Sequence, residues 1–315
     1  MKVTIAIPCH NAARWIAQAI ESALAQRDVE PEVIVVDDGS ADASREIAGA
    51  FGSRVQLLAG GHRGANHARN LALSRAAGEW VQFLDADDYL EPAKVGAQLR
   101  EAEGGAEADV LYSPVWIETW SDRCLAREQS GTSPDADWDT QWIRWHIPQT
   151  GGALWRRDTL REIGGWKDGQ PCCQEHELYL RARQAGLRFR YTPTPGAVYR
   201  IWSEDTLCRK DPVLVTQVRT GLMDEMWRWL RETGRATEQH RREIGQACFE
   251  MARTWARFDL PAAADYAAQR RNLGLFHLAG PAAPLSYRIA RALLGFTGAE
   301  RLAARTRKAP RPSAA

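Results

Sequence analysis

No CxxC pair occurs in the 315 residues, and the six cysteines, Cys9, Cys124, Cys172, Cys173, Cys208 and Cys248, lack the spacing of a zinc site or a disulfide framework. Cys172 and Cys173 are adjacent, but no second pair completes a soft-metal set. No secretory leader pattern stands ahead of them, so the expected setting is a reducing cytoplasm. No apolar run approaches the roughly 20 residues that cross a bilayer, so any membrane contact has to be peripheral, at the inner face. The charge balance is nearly neutral, 41 Lys and Arg against 40 Asp and Glu, which supplies no global field to recruit nucleic acid. Internal repeats are absent too. What remains is the composition of a globular chain long enough to bury a full core in one large domain or two.

The most informative residues present are acidic. Trp80-Val81-Gln82-Phe83-Leu84 runs straight into Asp85, Asp87 and Asp88, separated by a single alanine. Clustered carboxylates repel one another unless a cation or donor compensates, and hard oxygen ligands of this kind suit a divalent metal that also holds phosphate. The stretch before them alternates short β-branched runs with helical periodicity. Val3 to Ile7 predicts a strand and Trp15 to Leu24 a helix. Glu32 to Val36 predicts a second strand ended by Asp37-Asp38-Gly39-Ser40, followed by a helix through Phe51. Val55 to Leu58 predicts a third strand, Asn66 to Ala76 a helix and Trp80 to Leu84 a fourth strand. Strands of this type imply a largely parallel, doubly wound sheet, whose ligands bind beyond the carboxyl ends of the strands. Pro8-Cys9-His10-Asn11, Asp37-Asp38 and Asp85 to Asp88 all fall at such ends.

Three regions follow. Residues 1–104 read as the first half of an α/β domain, carrying the metal-and-phosphate-like rim. Residues 105–211, rich in tryptophan, read as a second half of the same domain, with Thr150 to Trp155 a strand, Asp158 to Ile163 a short helix and Glu175 to Gln184 a helix. Residues 212–315 read as a helical extension, through Val213 to Arg231, Glu238 to Phe258 and Pro261 to Asn272, with a basic tail.

The combination of Ile7-Pro8-Cys9-His10-Asn11, Asp37-Asp38-Gly39-Ser40, Ala68-Arg69-Asn70 before Gly78-Glu79, and Leu84-Asp85-Ala86-Asp87-Asp88 resembles glycosyltransferase family 2 over roughly the first 200 residues. That resemblance implies the α/β GT-A fold with a doubly wound mixed sheet, a nucleotide-diphosphate sugar donor, an inverting transfer to a hydroxyl acceptor and a manganese or magnesium cofactor. It makes residues 1–104 the nucleotide-sugar (donor) binding half and residues 105–211 the acceptor-binding and catalytic-base half of one domain. A UDP-sugar is the expected donor, a carbohydrate or lipid-linked sugar the expected acceptor, and cell-surface polysaccharide or glycoconjugate synthesis the expected context. It further implies that Pro8, His10 and Asn11 line the nucleobase pocket, that Asp37 or Asp38 bonds the base, that Asp85 faces the ribose, and that Asp87 binds the metal with Asp88 in support. His10 replaces a commoner tyrosine. Arg69 fits either a donor contact or a structural salt bridge.

An inverting transfer needs a carboxylate to take the acceptor's proton. Gln174-Glu175-His176-Glu177-Leu178-Tyr179-Leu180-Arg181 aligns with the family's Glu-Asp helix through Leu-Tyr-Leu-Arg, which puts Glu175 at the base position and Gln174 in place of the glutamate. His176 and Glu177 are the alternatives, and Trp155 is a candidate acceptor neighbour. A plainer reading is that these acids only complement the helix dipole. Gln141-Trp142-Ile143-Arg144-Trp145 spells the QxxRW signature of processive synthases, but it precedes Glu175 instead of following it, so Trp142 and Trp145 are read as core or acceptor-site aromatics. Two other classes stand beside the enzyme reading. A sugar nucleotidyltransferase would want a Gly-rich, basic triphosphate loop that Pro8 to Ala13 does not supply, and a silent nucleotide- or sugar-binding protein is kept in view by Gln174.

At the far end, residues 270–315 carry nine Lys or Arg against Glu300 alone. Leu275, Phe276, Leu278, Leu285, Tyr287, Ile289, Leu293, Leu294 and Phe296 interleave there with Arg288, Arg291 and Arg301. That composition suits either an anionic membrane surface or a packed terminal helix beside a solvated tail.

Overall fold

The computed structural model describes residues 1–130, 137–202 and 211–306. Its chain divides into two compact units, one made of Met1–Trp142 and His146–Arg209, the other of Ile143–Trp145 and Lys210–Ala315.

The first unit is built on β1 (Lys2–Cys9), β2 (Glu30–Asp37), β3 (Val55–Ala59) and β4 (Trp80–Phe83), connected by α1 (Ile16–Leu24), α2 (Ser44–Gly49) and α3 (Ala65–Arg75). β1 pairs in parallel with both β2 and β4, and β2 with β3. Seven residues of β1 and all four of β4 are buried, which is why their sequences are runs rather than alternations. Each fully buried isoleucine of β1 contributes roughly 1.5–3 kcal/mol of hydrophobic stabilisation. Crossing helices bring every one of these parallel strands out at the same edge.

After β5 (Tyr89–Leu90) and α4 (Lys94–Glu101) the sheet grows on its other side. β6 (Val110–Tyr112), β9 (Ala153–Arg156) and β10 (Phe189–Tyr191) complete seven strands in the order β10-β6-β9-β4-β1-β2-β3. β9 runs antiparallel to β4, with Gln82 opposite Leu154, so the sheet is mixed and β9 begins at the rim where β4 ends. The predicted strand from Thr150 therefore starts late: Thr150–Gly152 is a 3₁₀ turn and only Ala153–Arg156 extends. The turn is tightly seated, since a Cβ on Gly152 would lie 2.9 Å from the Ser113 carbonyl.

β7 (Trp116–Trp120), β8 (Cys124–Gln129) and β11 (Ala197–Ile201) join β5 in a second, four-stranded sheet in the order β5-β11-β7-β8, which the sequence reading lacks. α5 (Trp138–Ile143), α6 (Arg157–Glu162) and α7 (Gln174–Gln184) complete the helices here. Trp142, Trp155 and Trp166 are 1–3% exposed and belong to the core. Trp155 is thus no acceptor neighbour: it stacks on Tyr179 with ring centroids 5.4 Å apart, its side chain filling the space between sheet and α7.

The second unit holds α8 (Pro212–Glu232), α9 (Glu238–Trp255), α10 (Leu260–Asn272) and α11 (Leu285–Thr306). Asp211, Thr237 and Asp259 cap the first three through their side chains, two of them ahead of a proline in the first turn. α11 is broken at Gly295 (φ 69°). Phe249, Ala283, Tyr287, Ala290 and Ala299 form a small core. Arg144 pairs with Glu243 inside this unit, a structural use of the QxxRW arginine. Among the described residues no helix is long and apolar enough to cross a membrane.

Candidate active site

Parallel strand ends create the site. β1, β2 and β4 deliver Pro8–Asn11, Asp37–Ser40 and Asp85–Asp88 to one rim, and the antiparallel β9 adds Thr150 from its beginning.

On the β1–β2 side, His10 and Asn11 are exposed while Pro8 is buried. Asn11 takes a left-handed backbone (φ 50°), accepts from the Ala41 N–H at 2.8 Å and offers its own N–H to Ser40 Oγ. The rings of His10 and His62 lie 5.2 Å apart, and the Nδ1 of each is within 3.2 Å of the Asp38 carbonyl oxygen. His62 was not picked out from sequence, because a lone histidine after Gly60-Gly61 carries no spacing signal. Cys9, beside them, is a packing residue whose thiol burial pushes up to about 11.

Asp37 and Asp38 are both buried but differ in use. Asp38 accepts from the backbone N–H groups of Arg63 at 2.9 Å and Gly64 at 2.6 Å, tying down the entry to α3. Asp37 meets the Ser40 N–H and the Arg45 guanidinium only at 3.4–3.5 Å.

Asp85, Asp87 and Asp88 are separated by their partners. Asp85 Oδ1 receives Arg69 Nη2 at 2.7 Å. Asp87 Oδ2 receives the Trp202 indole N–H at 2.8 Å. Asp88 is buried and accepts the Arg200 backbone N–H at 2.8 Å. Antiparallel pairing of β11 with β5, Val198 opposite Tyr89, extends toward this turn and brings Arg200 to it. The Arg200 guanidinium donates to the Asp87 carbonyl and lies over the rings of Trp15 and Tyr89. Burial, then the charge of Asp85, raises the Asp87 carboxyl above its ordinary range. Burial, then the charges of Asp87 and Asp85, raises Asp88 well above it. Anionic oxygens whose charge is poorly compensated by protein donors fit a hard divalent cation such as Mn²⁺ or Mg²⁺.

Arg69 is 4% exposed and does not present itself to solvent. Its guanidinium reaches Asp85, Asn66 Oδ1 at 3.1 Å and Gln174 Oε1 at 2.9 Å, over the Trp166 ring at 4.4 Å. Asn70 brackets the same tryptophan, donating to its carbonyl at 2.7 Å and accepting its N–H at 2.8 Å. The Ala68-Arg69-Asn70 motif is thereby a brace that fixes the rim acids to the start of α7.

At that helix start Cys173 adopts a left-handed conformation (φ 55°), which turns the chain into α7 and leaves Glu175 in its first turn. Glu175 Oε1 accepts the Thr150 hydroxyl at 2.6 Å. Gln82 and Gln98 donate to the carbonyls of Gly151 and Gly152 at 3.0 and 3.1 Å, so the turn bearing Thr150 is held from below. The alternatives are committed elsewhere: Glu177 is clamped by Arg181 at 2.9 Å, and the buried His176 ring packs against Trp142. The Tyr199 phenol is raised above its ordinary range by burial, then by the charges of Asp88, Asp85, Asp87 and Glu175, so all four carboxylates act on one hydroxyl.

The family profile described as Glycosyl transferase family 2 matches residues 4–164, just over half of the chain. A succinoglycan biosynthesis protein, ExoO of Rhizobium meliloti, is 41% identical over 111 residues, which span 34% of this chain and 32% of that relative. S. aureus TarS 1-349 in complex with UDP-GlcNAc superposes with a TM-score of 0.62 at 16% identity, covering 98% of this chain and 93% of that one. The mannosyltransferase PcManGT of Pyrobaculum calidifontis, in complex with GDP-Man and Mn²⁺, superposes at 0.51 with 19% identity, covering 96% and 85%. The mixed α/β sheet is that of the GT-A fold, C-terminal helices extend it, and the chain belongs to glycosyltransferase family 2.

Proposed function

We propose that the protein is a metal-dependent, inverting glycosyltransferase that moves a sugar from a nucleotide-diphosphate donor, a UDP-sugar by preference, to a hydroxyl of a carbohydrate or lipid-linked acceptor. The observation that carries this reading is Arg69, whose one guanidinium joins Asp85 on the donor rim to Gln174 beside Glu175. A donor-binding strand end and a proton acceptor are thereby held on one rigid brace.

In this reading His10, with Asn11 and Asp37, receives the nucleobase and Asp85 the ribose. Asp87, supported by Asp88, would hold the divalent cation, which when bound neutralises charge on the departing diphosphate. Glu175 takes the acceptor hydroxyl's proton as that oxygen bonds to the anomeric carbon, while the bond from carbon to diphosphate oxygen breaks on the opposite face. Thr150 aims Glu175 by holding one of its oxygens. A role in polysaccharide synthesis is supported by the succinoglycan relative, and a nucleotide-sugar donor by the complexes of the two structural neighbours.

Release of nucleoside diphosphate from a panel of donors, with and without manganese, tests the proposal. Turnover of one donor that depends on the metal is expected. Donor binding with no release under any acceptor would make this a silent binding protein instead.

A further inference from the structure

The mixed apolar and basic segment near the C-terminus is sorted by the structure into two faces. Leu275, Tyr287 and Phe296 turn inward to the small core, 1–5% exposed. Leu285, Ile289 and Leu293 do the reverse, at 73%, 52% and 78% exposed, with Leu294 at 56%. Their spacing of four puts the first three on one stripe of α11, so the middle of its solvent face is apolar. A groove of about 270 Å³ flanks the stripe, lined by Pro284, Tyr287, Ala290, Ala299, Leu302 and Ala303 with Arg253.

The charge around the stripe has one sign. Arg288 beside it is exposed, and so are Arg301 and Arg305 on the helical segment beyond the break at Gly295. The single acid of residues 270–315, Glu300, is buried and bound to Arg253 at 2.7 Å. A second copy laid stripe to stripe would set these arginines against their own kind. An anionic lipid surface accepts the leucines into its acyl boundary while its headgroups meet the exposed guanidinium groups nearby.

We infer that the outer stripe of α11, Leu285, Ile289 and Leu293 with the neighbouring Arg288, docks the protein in-plane on an anionic bilayer. This goes beyond the glycosyltransfer reading and does not depend on it, since none of these residues belongs to the candidate active site.

Flotation of the full chain with phosphatidylglycerol–phosphatidylcholine vesicles, and with phosphatidylcholine alone, tests the inference. Wild type floats with the anionic vesicles and stays down with the neutral ones, and added salt weakens it. L285D/I289D/L293D, exposed positions whose replacement leaves the circular dichroism melt intact, loses about tenfold or more of its vesicle binding. R288E/R301E loses several-fold and with it the salt dependence, and this second variant decides the matter should the triple variant fold poorly. Vesicle-free nucleoside diphosphate release is unchanged in both, which separates this inference from the proposed activity. Wild type that ignores anionic vesicles overturns the inference, as does a triple variant that floats normally. A dimer in sedimentation velocity that the triple variant splits would assign the stripe to a second copy and overturn it as well.

Discussion

The carboxylates after β4 and the carboxylate at the head of α7 are held in opposite ways. Asp87 and Asp88 are crowded together, the first half-buried and the second buried, and are met by an indole N–H and a backbone N–H. Glu175 sits in the first turn of a helix beside Glu177, which is clamped by Arg181, and carries one hydroxyl on one oxygen. The first arrangement raises the free energy of its own negative charge and gains most from a divalent ion. The second places a carboxylate at the start of a helix with one oxygen held by Thr150 and the other left for the acceptor's proton. On the proposed reading the same rim separates a charge-holding task from a proton-accepting one, with Arg69 bonded to Asp85 on one side and to Gln174 on the other.

Substitutions that treat the two sides differently can break this contrast. Asp87→Ala should remove the largest effect, a fall in metal-dependent turnover of roughly 10³-fold or more, with the manganese response lost; steady-state kinetics across a manganese titration checks it. Thr150→Val should lower kcat roughly tenfold, since it deletes one hydrogen bond to a charged group, while the donor KM holds and the pH–rate profile shifts. An unchanged profile would reduce Thr150 to a packing residue.

Smaller, and confined to stability, is the effect of the buried Lys94, whose ammonium donates to Gln82 Oε1 beneath the Thr150 turn. Burial pulls it from 10.5 to about 7. Between those values the unfolded chain holds a proton that the folded chain lacks, so the lysine's contribution makes stability rise with pH from 7 toward 10, by at most about 1.4 kcal/mol per unit. Below 7 both states are protonated and the full burial penalty remains. Lys94→Met should flatten the slope of Tm against pH over that window, measured by circular dichroism.

How much of this was legible in sequence depends on contact range. Asp37–Asp38 and Asp85–Asp88 lie where a buried strand stops, and a run of apolar residues followed by acids is a local signal. The parallel strands and their rim follow from the same periodicity, whereas the antiparallel β9 that makes the sheet mixed was implied only by the family resemblance. Arg200 and Trp202 gave no such signal, because they reach Asp87 and Asp88 only through the pairing of the two-residue β5 with β11, more than 100 residues later. The second sheet escaped for a related reason: all six residues of β8 are exposed, so no alternation marks it. Trp155 misled in the other direction, since an aromatic ring suits a sugar face and a core equally well until its neighbour Tyr179 is known.

The most direct test of the account compares Glu175→Gln with wild type in two assays, donor affinity by isothermal titration and turnover by nucleoside diphosphate release. The account predicts donor affinity within about twofold and turnover lowered roughly 10²- to 10⁴-fold, the range of a lost general base. Wild-type turnover by Glu175→Gln would contradict it.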